Sequence, residues 1–150
     1  MLYLGIDPGF TGAWGLINHH GAYVGCGDMV HNDKWIDINF VYRDISLIKE
    51  NDDLMIVVEA VHAMPKQGVS SSFKFGMAYG AALCLAQRFL VQWELVTPKT
   101  WKQDMGLTAN KTDSLNMARR LWPEAPLKRS KDNGRAEALL LAEWLKQAYL

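Results

Sequence analysis

Two acidic residues each end an apolar stretch of this sequence, and their positions suggest a metal site. Asp7 follows the apolar residues 3–6, and Glu59 follows the run Leu-Met-Ile-Val-Val at residues 54–58. If both stretches are neighbouring strands, the two carboxylates meet at one edge of the sheet, where open α/β sheets tend to keep their functional sites. Like charges held together raise at least one pKa unless a cation lies between them. Because carboxylate oxygens suit Mg²⁺ or Mn²⁺, the pair predicts a divalent metal site. The alternative role for Asp7 is in a turn, since Asp-Pro-Gly favours turns.

Two acids near the C-terminus could complete such a site. Glu137 lies in the stretch RAEALLLAEWL, which is typical of a helix, and Asp132 precedes that stretch. Residues five apart on one helix point roughly 140° apart, so Asp132 could share an ion with Glu137 only from a non-helical lead-in. Asn133 and Gly134 supply a plausible helix start at this point. The alternative role for Asp132 is a helix cap, and the amide oxygen of Asn133 is the substitute ligand.

The strands that would hold these acids form a mixed sheet. Turns at Pro8-Gly9 and His20-Gly21 separate three short strands, which predicts an antiparallel meander. The unbroken apolar run before Glu59 predicts a central strand that is covered on both faces. The predicted strands are residues 2–6, 12–18, 22–29, 54–58 and 89–96.

Helices separate and follow the later strands. Apolar residues from Trp35 to Ile48 recur at three- and four-residue steps, which indicates an amphipathic helix. Thr97 followed by Pro98 is typical of a helix start. The predicted helices are residues 34–49, 70–88, a helix that begins at 98, 111–122 and 134–148. Because the later strands need helical crossovers, we predict an α/β fold whose five-stranded mixed sheet carries helices on its faces.

The composition indicates a single domain over residues 1–150. Hydrophobic residues make up 49% of the 150 residues, and no apolar run reaches the roughly 20 residues of a membrane span. The N-terminus lacks the pattern of a signal peptide. Cys26 and Cys84 are far apart and show no metal-ligand spacing. We therefore expect a cytoplasmic protein with ordinary thiols and no membrane partner.

The charge is distributed unevenly although the net charge is zero. Residues 1–58 carry three Lys or Arg and eight Asp or Glu, whereas residues 97–135 carry nine Lys or Arg and four Asp or Glu. Such asymmetry predicts a basic face that could bind nucleic acid. Solvated helix faces are the alternative explanation.

Four blocks of the sequence resemble the RuvC-type Holliday-junction resolvases, most closely the phage-encoded branch. They occur in the family's order over nearly the whole chain, and together they are more specific than GIDPG alone. The blocks are LGIDPGFTGAWGLI, VVEAVHAMPKQGVSSSFKFGMAYGAAL, VTPKTWKQDMGL and KDNGRAEALLLAEW. The resemblance implies an RNase H-like fold and a homodimeric, Mg²⁺-dependent endodeoxyribonuclease that cleaves four-way junctions symmetrically. A phage-encoded enzyme of this kind would act in the bacterial host cytoplasm.

The resemblance also implies the site residues. By motif position, Asp7 matches the family's first-strand acid, Glu59 its fourth-strand acid and Glu137 its last acid. Many members have an acid or His three residues before the last acid, and here that position is Gly134. The nearest replacements are Asp132 and Asn133. The expected catalytic and metal-binding residues are therefore Asp7, Glu59, Asp132 and Glu137, with Asn133 as the substitute.

Two Mg²⁺ or Mn²⁺ ions about 3.5–4 Å apart would then hydrolyse the phosphodiester. One ion would activate the attacking water, and the other would stabilise the departing 3′ oxygen, leaving 5′-phosphate and 3′-hydroxyl ends. We expect Asp7 to bridge both ions, Glu59 to hold one, and Asp132 with Glu137 to hold the other.

Basic residues in the matching blocks are expected to contact DNA. Lys102 and Lys111 would lie near the scissile phosphate or along the backbone, and His62 would wedge against bases from a loop at the junction centre. The expected DNA-binding residues are Lys102, Lys111, His62, Lys66, Lys131 and Arg135; ordinary surface positions are the alternative.

The helix at 70–88 would form the dimer interface because Gly76 and Gly80 permit close approach, although core packing explains its small residues as well.

Three other functions fit parts of the pattern. A sugar-kinase or actin-type domain also begins with Gly-x-Asp-x-Gly, but such proteins bind nucleotide between two domains. A non-catalytic protein that binds branched DNA on the same fold would explain the altered third acid. A nuclease with broader branched substrates, such as forks and flaps, would suit phage DNA packaging.

Overall fold

A five-stranded sheet forms the centre of the molecule, and the computed structural model describes all residues from Met1 to Leu150. The strands are β1 (Leu2–Asp7), β2 (Ala13–Asn18), β3 (Tyr23–Asp28), β4 (Leu54–Glu59) and β5 (Trp93–Val96). Their spatial order is β3-β2-β1-β4-β5. The first three strands pair antiparallel, whereas β1 with β4 and β4 with β5 pair parallel. The predicted mixed sheet is confirmed.

Helices cover both faces of this sheet. They are α1 (Ile38–Lys49), α2 (Val69–Arg88), α3 (Pro98–Asp104), α4 (Lys111–Leu121) and α5 (Asn133–Ala148), and a 3₁₀ turn (Ser130–Asp132) leads into α5. Alternate residues of β1 point to opposite faces: Leu4 and Ile6 join the core under α1 and α2, and Tyr3 joins the core under α3, α4 and α5. No helix is both long enough and apolar enough to span a membrane.

Two glycines bring α5 unusually close to the sheet. Gly5 of β1 and Gly15 of β2 are directly paired across the strands. A Cβ atom at Gly5 would lie 2.0 Å from the carbonyl oxygen of Ala138, and one at Gly15 would lie 2.5 Å from the backbone nitrogen of Leu139. Any side chain at either position would push α5 away. The glycines therefore set the distance between β1 and the helix that carries Glu137.

Two predicted boundaries are wrong, and each has a local cause. The first helix begins at Ile38 rather than at 34, because the Asp37 side chain caps it by accepting a hydrogen bond from the Phe40 backbone at 3.0 Å. Trp35, which fitted the helical pattern, lies exposed before this cap. The last strand begins at Trp93 rather than at 89, because Leu90 adopts the left-handed conformation with φ 54° in the connection from α2.

Candidate active site

Three of the four predicted acids lie at the carboxyl edge of the central strands. Asp7 ends β1 and Glu59 ends β4, and these parallel strands are neighbours in a register that pairs Ile6 with Val58. Glu137 is buried on the first turns of α5, which crosses β1. The pKa of Asp7 is raised well above its ordinary value, chiefly by burial and then by the charges of Glu59 and Glu137. The three carboxylates therefore act on one another electrostatically.

Gly134 lies beside this group of acids. A Cβ atom at this position would be 3.5 Å from Oδ2 of Asp7 and 3.0 Å from the carbonyl oxygen of Thr11. The backbone thus passes close to Asp7 at the position where the resemblance places another ligand, but glycine supplies none.

Glu59 is buried and held by an indole that the sequence analysis did not single out. Nε1 of Trp101, a fully buried residue of α3, donates to Oε1 of Glu59 at 2.8 Å. Burial raises the pKa of Glu59, and the Trp101 hydrogen bond opposes that rise. A signal for this contact was present in the sequence, because a buried tryptophan needs an acceptor for its N–H.

Glu137 is held by the residue that follows Trp101. Nζ of Lys102 lies 2.7 Å from Oε1 of Glu137, and the two side chains are 15% and 7% exposed. The short helix α3 is fixed at its start by Thr97, whose side chain accepts a hydrogen bond from the Thr100 backbone. Two successive residues of α3 therefore fix two of the three carboxylates.

The structure does not bring Asp132 to these acids, contrary to its expected role. It ends the 3₁₀ turn and accepts hydrogen bonds from the backbone nitrogen, Nε and Nη2 of Arg129 at 2.8, 3.0 and 2.7 Å. Burial acts to raise the pKa of Asp132, but these bonds and the Arg129 charge hold it below its ordinary value. Both oxygens are engaged in closing the turn, which agrees with the alternative role as a cap. Asn133 begins α5 and lines a neighbouring cleft with Lys111.

Replacing Asp132 should therefore cost stability rather than metal affinity. We expect Asp132→Asn to lose about 1–3 kcal/mol of unfolding free energy at neutral pH, because a charged acceptor is removed from Arg129. Since the pKa is lowered, the wild-type stabilisation is present above the ordinary pKa of Asp and is lost as the pH falls through the folded value.

Urea denaturation measures this loss. Asp104→Asn is the control, because Asp104 is an exposed acid that accepts a hydrogen bond from Trp144. Mn²⁺ affinity should be unchanged. A clear fall in Mn²⁺ affinity with unchanged stability would restore Asp132 as a ligand.

Some of the predicted DNA-binding residues are exposed, and others are held in ion pairs within the protein. Lys111 is exposed at the start of α4, and its charge lowers the pKa of Asp7. The connection between β4 and α2 carries His62 and Lys66, both exposed, and Lys131 is exposed on the 3₁₀ turn. Arg135 instead pairs with both oxygens of Asp28 at 2.7 and 3.0 Å, so this side chain links α5 to the end of β3.

As arranged here, no three carboxylate, imidazole or thiolate side chains are close enough together to coordinate one ion. Two of the three acids are already engaged, because Trp101 donates a hydrogen bond to Glu59 and Lys102 donates one to Glu137. The carboxylate of Asp7, by contrast, is influenced by burial and charges and by no hydrogen bond. Cys26 and Cys84 are both free thiols.

Comparison with known proteins gives the fold. No family model matches the chain, and no curated protein matches it. Among solved structures, it is similar to Thermus thermophilus RuvC, with a TM-score of 0.70, 21% identity, and coverage of 99% of this chain and 96% of that one. It is also similar to T. thermophilus RuvC in complex with a Holliday junction substrate, with a TM-score of 0.69, 21% identity, and coverage of 99% and 95%. Neither similarity supports the phage-encoded branch in particular. The chain has the RuvC-type, RNase H-like fold.

Proposed function

We propose that this chain is a metal-dependent endonuclease that cleaves branched DNA, with four-way junctions as the main substrate. The observation that carries the proposal is the placement of Asp7, Glu59 and Glu137 at the carboxyl edge of β1 and β4, where the charges of the two glutamates act on Asp7. These three acids come from distant parts of the chain, and packing alone gives no reason to gather them. The RuvC-type fold supports the same function, since one of the similar structures holds a Holliday junction.

The donor set fits divalent metal ions. Asp7, Glu59 and Glu137 offer only hard carboxylate oxygens, which suit Mg²⁺ or Mn²⁺. Burial, and then the charges of Glu59 and Glu137, raise the pKa of Asp7, and a bound cation would offset both effects. Bound Mg²⁺ would lower the pKa of a water molecule and stabilise the charge that develops on the departing oxygen. Asp132 is left out of this ligand set because its carboxylate accepts hydrogen bonds from Arg129. Asn133 remains the substitute ligand.

The lysines around the acids would bind and orient the DNA strand. Lys111 is exposed beside Asp7, and Lys102 lies at the same edge. His62 would wedge against bases at the junction centre, and Lys66 and Lys131 would extend the contact along the phosphates. Because such contacts release counterions, junction affinity should fall steeply as salt rises. Fluorescence anisotropy between about 50 and 200 mM salt checks this. An unchanged affinity would show that these side chains do not contact the DNA phosphates.

We propose that two copies pair through α2. Val69, Phe73 and Met77 are exposed apolar residues at four-residue spacing on this helix. Cβ atoms at Gly76 and Gly80 would meet nothing within 4 Å, so this face is open to close approach. Large exposed apolar patches on proteins mark interaction sites. A homodimer would present two sets of acids to the two strands of a junction.

Replacing one residue of this face should separate the copies. Phe73 is 70% exposed, so an aspartate there costs the monomer little but buries a charge in the interface. We expect Phe73→Asp to sediment as a monomer while the wild type sediments as a dimer. Leu47→Asp on α1, where the residue is 71% exposed, is the matched control and should stay dimeric. A wild-type monomer, or a dimeric Phe73→Asp, would disprove pairing through α2.

Cleavage assays test the function itself. We expect Mg²⁺-dependent cutting of a synthetic four-way junction, weaker cutting of forks and none of linear duplex under the same metal condition. Equal cutting of forks and junctions would point to the broader branched-DNA nuclease. Nucleotide binding by the chain alone would instead support the sugar-kinase or actin-type alternative.

One observation favours a second candidate function, a branched-DNA-binding protein without nuclease activity. A Cβ at Gly134 would lie 3.5 Å from Oδ2 of Asp7, but glycine supplies no side-chain ligand there. Tight junction binding with no cleavage in either Mg²⁺ or Mn²⁺ would support this candidate.

A further inference from the structure

The ion pair between Lys102 and Glu137 lies inside the proposed metal site. Nζ of Lys102 is 2.7 Å from Oε1 of Glu137, and both side chains are largely buried. The ammonium also lies 5.3 Å from the centre of the Trp101 ring. A buried carboxylate in this position needs a cation, since an isolated buried charge is strongly unfavourable. Lys102 supplies that cation from within the chain.

The position of α3 keeps Lys102 there. Trp101 is fully buried and its indole donates a hydrogen bond to Glu59, which fixes α3 at the edge where Lys102 contacts Glu137. The carboxylates at this edge outnumber the two lysine charges that act on Asp7, those of Lys111 and Lys102. The metal-free site is thus partly neutralised by the protein itself, and Lys102 is the lysine in direct contact with a carboxylate.

We infer that Lys102 is a built-in counter-cation that must leave Glu137 before a divalent ion can bind this carboxylate. The inference rests on the proposed metal site and deepens it. In the metal-free protein, Lys102 neutralises Glu137 and keeps α5 and α3 together. Metal and Lys102 compete for the same carboxylate, so the ion pair weakens metal binding. When the metal takes Glu137, the ammonium is released at the edge where the DNA phosphate would bind.

Competition predicts that removing the ammonium tightens metal binding. The probe is Mn²⁺ alone, with the free ion measured by electron paramagnetic resonance in the absence of DNA. We expect Lys102→Met to bind Mn²⁺ at least about tenfold more tightly than the wild type, because a cation in contact with the ligand is lost.

Lys111→Met is the matched control. It removes the same charge near Asp7, but Lys111 belongs to none of the ion pairs of the structure. We expect it to tighten Mn²⁺ binding distinctly less than Lys102→Met does. If Lys102 only binds phosphate, the two variants should bind Mn²⁺ equally tightly, and the inference is then wrong.

Heat denaturation gives a second readout that does not depend on activity. In EDTA, Lys102→Met should melt at a lower temperature than the wild type, because Glu137 loses its buried partner. Saturating Mn²⁺ should raise its melting temperature more than it raises that of the wild type. Lys102→Gln serves as a further variant if the methionine variant does not fold.

The outcomes separate this inference from the proposed function. Suppose that Asp7→Asn abolishes Mn²⁺ binding but neither Lys102 variant binds Mn²⁺ more tightly than the wild type. This result would overturn the inference about Lys102 and leave the proposed metal site intact. No Mn²⁺ binding by the wild type or by any variant would overturn both. Tighter binding and a larger Mn²⁺-induced shift in Lys102→Met would support both.

Discussion

Asp7→Asn should abolish metal-dependent cleavage of a four-way junction while leaving junction binding intact. The charges of Glu59 and Glu137 both act on Asp7, and its side chain makes no hydrogen bond, so its oxygens are the ones most open to a metal. The amide keeps the shape of the side chain but removes its charge. We expect the cleavage rate to fall by at least about 10²–10³-fold, as for the loss of other groups that stabilise transition-state charge.

The same substitution should stabilise the metal-free protein. Burial, and then the two neighbouring acids, raise the pKa of Asp7, so at pH values between the unfolded and the folded pKa the folded state holds a proton that the unfolded state has released. Stability therefore falls as the pH rises above the ordinary pKa of Asp towards neutrality. Asparagine has no charge to bury, and we expect it to raise the free energy of unfolding at neutral pH by about 1 kcal/mol or more. This is about 2–4 °C in melting temperature for a chain of this length.

Two measurements check these effects together. Heat denaturation in EDTA at neutral pH and near pH 5 should show that the gain from Asp7→Asn shrinks as the pH falls. Junction cleavage in Mg²⁺ should be lost in the same preparation, with binding measured separately in EDTA. Retained cleavage would remove Asp7 from the site. A destabilised variant would show that the charge of Asp7 is not unfavourable in the folded protein.

Glu59→Gln should also remove cleavage without unfolding the protein. Glutamine retains an oxygen that can accept the hydrogen bond from Trp101, which is 2.8 Å long in the wild type. The buried side chain therefore keeps its partner, and only the charge is lost. Because burial raises the pKa of Glu59, we expect metal-free stability at neutral pH to be unchanged or increased.

Glu94→Gln on the adjacent strand β5 is the matched control for this substitution. Glu94 accepts a hydrogen bond from the Tyr149 hydroxyl, away from the three acids. We expect a loss in cleavage of at least about 10²-fold for Glu59→Gln, and close to wild-type cleavage for the control. Equal rates in the two variants would show that Glu59 has only a structural role.

Much of the fold could be predicted from local patterns. Turn residues at Pro8-Gly9 and the apolar run before Glu59 reflect backbone and burial requirements that depend on nearby residues alone. The boundaries at Asp37 and Leu90 could not be predicted in this way. A capping hydrogen bond fixes the first of these, and a left-handed residue the second, and neither changes the apolar periodicity.

The placement of the acids was predictable where they end strands, and less so where it depends on hydrogen bonds between distant side chains. Asp7 and Glu59 followed from strand ends, and Glu137 followed from its place in the C-terminal helical stretch and then from the resemblance. Asp132 looked equivalent by its position in the sequence, but Arg129, three residues earlier, engages both of its oxygens. The contacts from α3 to Glu59 and Glu137 join residues 42 and 35 positions apart, which no local pattern reports.

A crystal soaked in Mn²⁺ tests the central claim most directly. Anomalous scattering locates the ion independently of any assumption about its ligands. We predict a peak at bonding distance from Asp7 and from at least one of Glu59 and Glu137, with Lys102 displaced from any carboxylate that the ion takes. A fully soaked crystal in which Mn²⁺ binds elsewhere, and these three side chains keep their present partners, would contradict the claim.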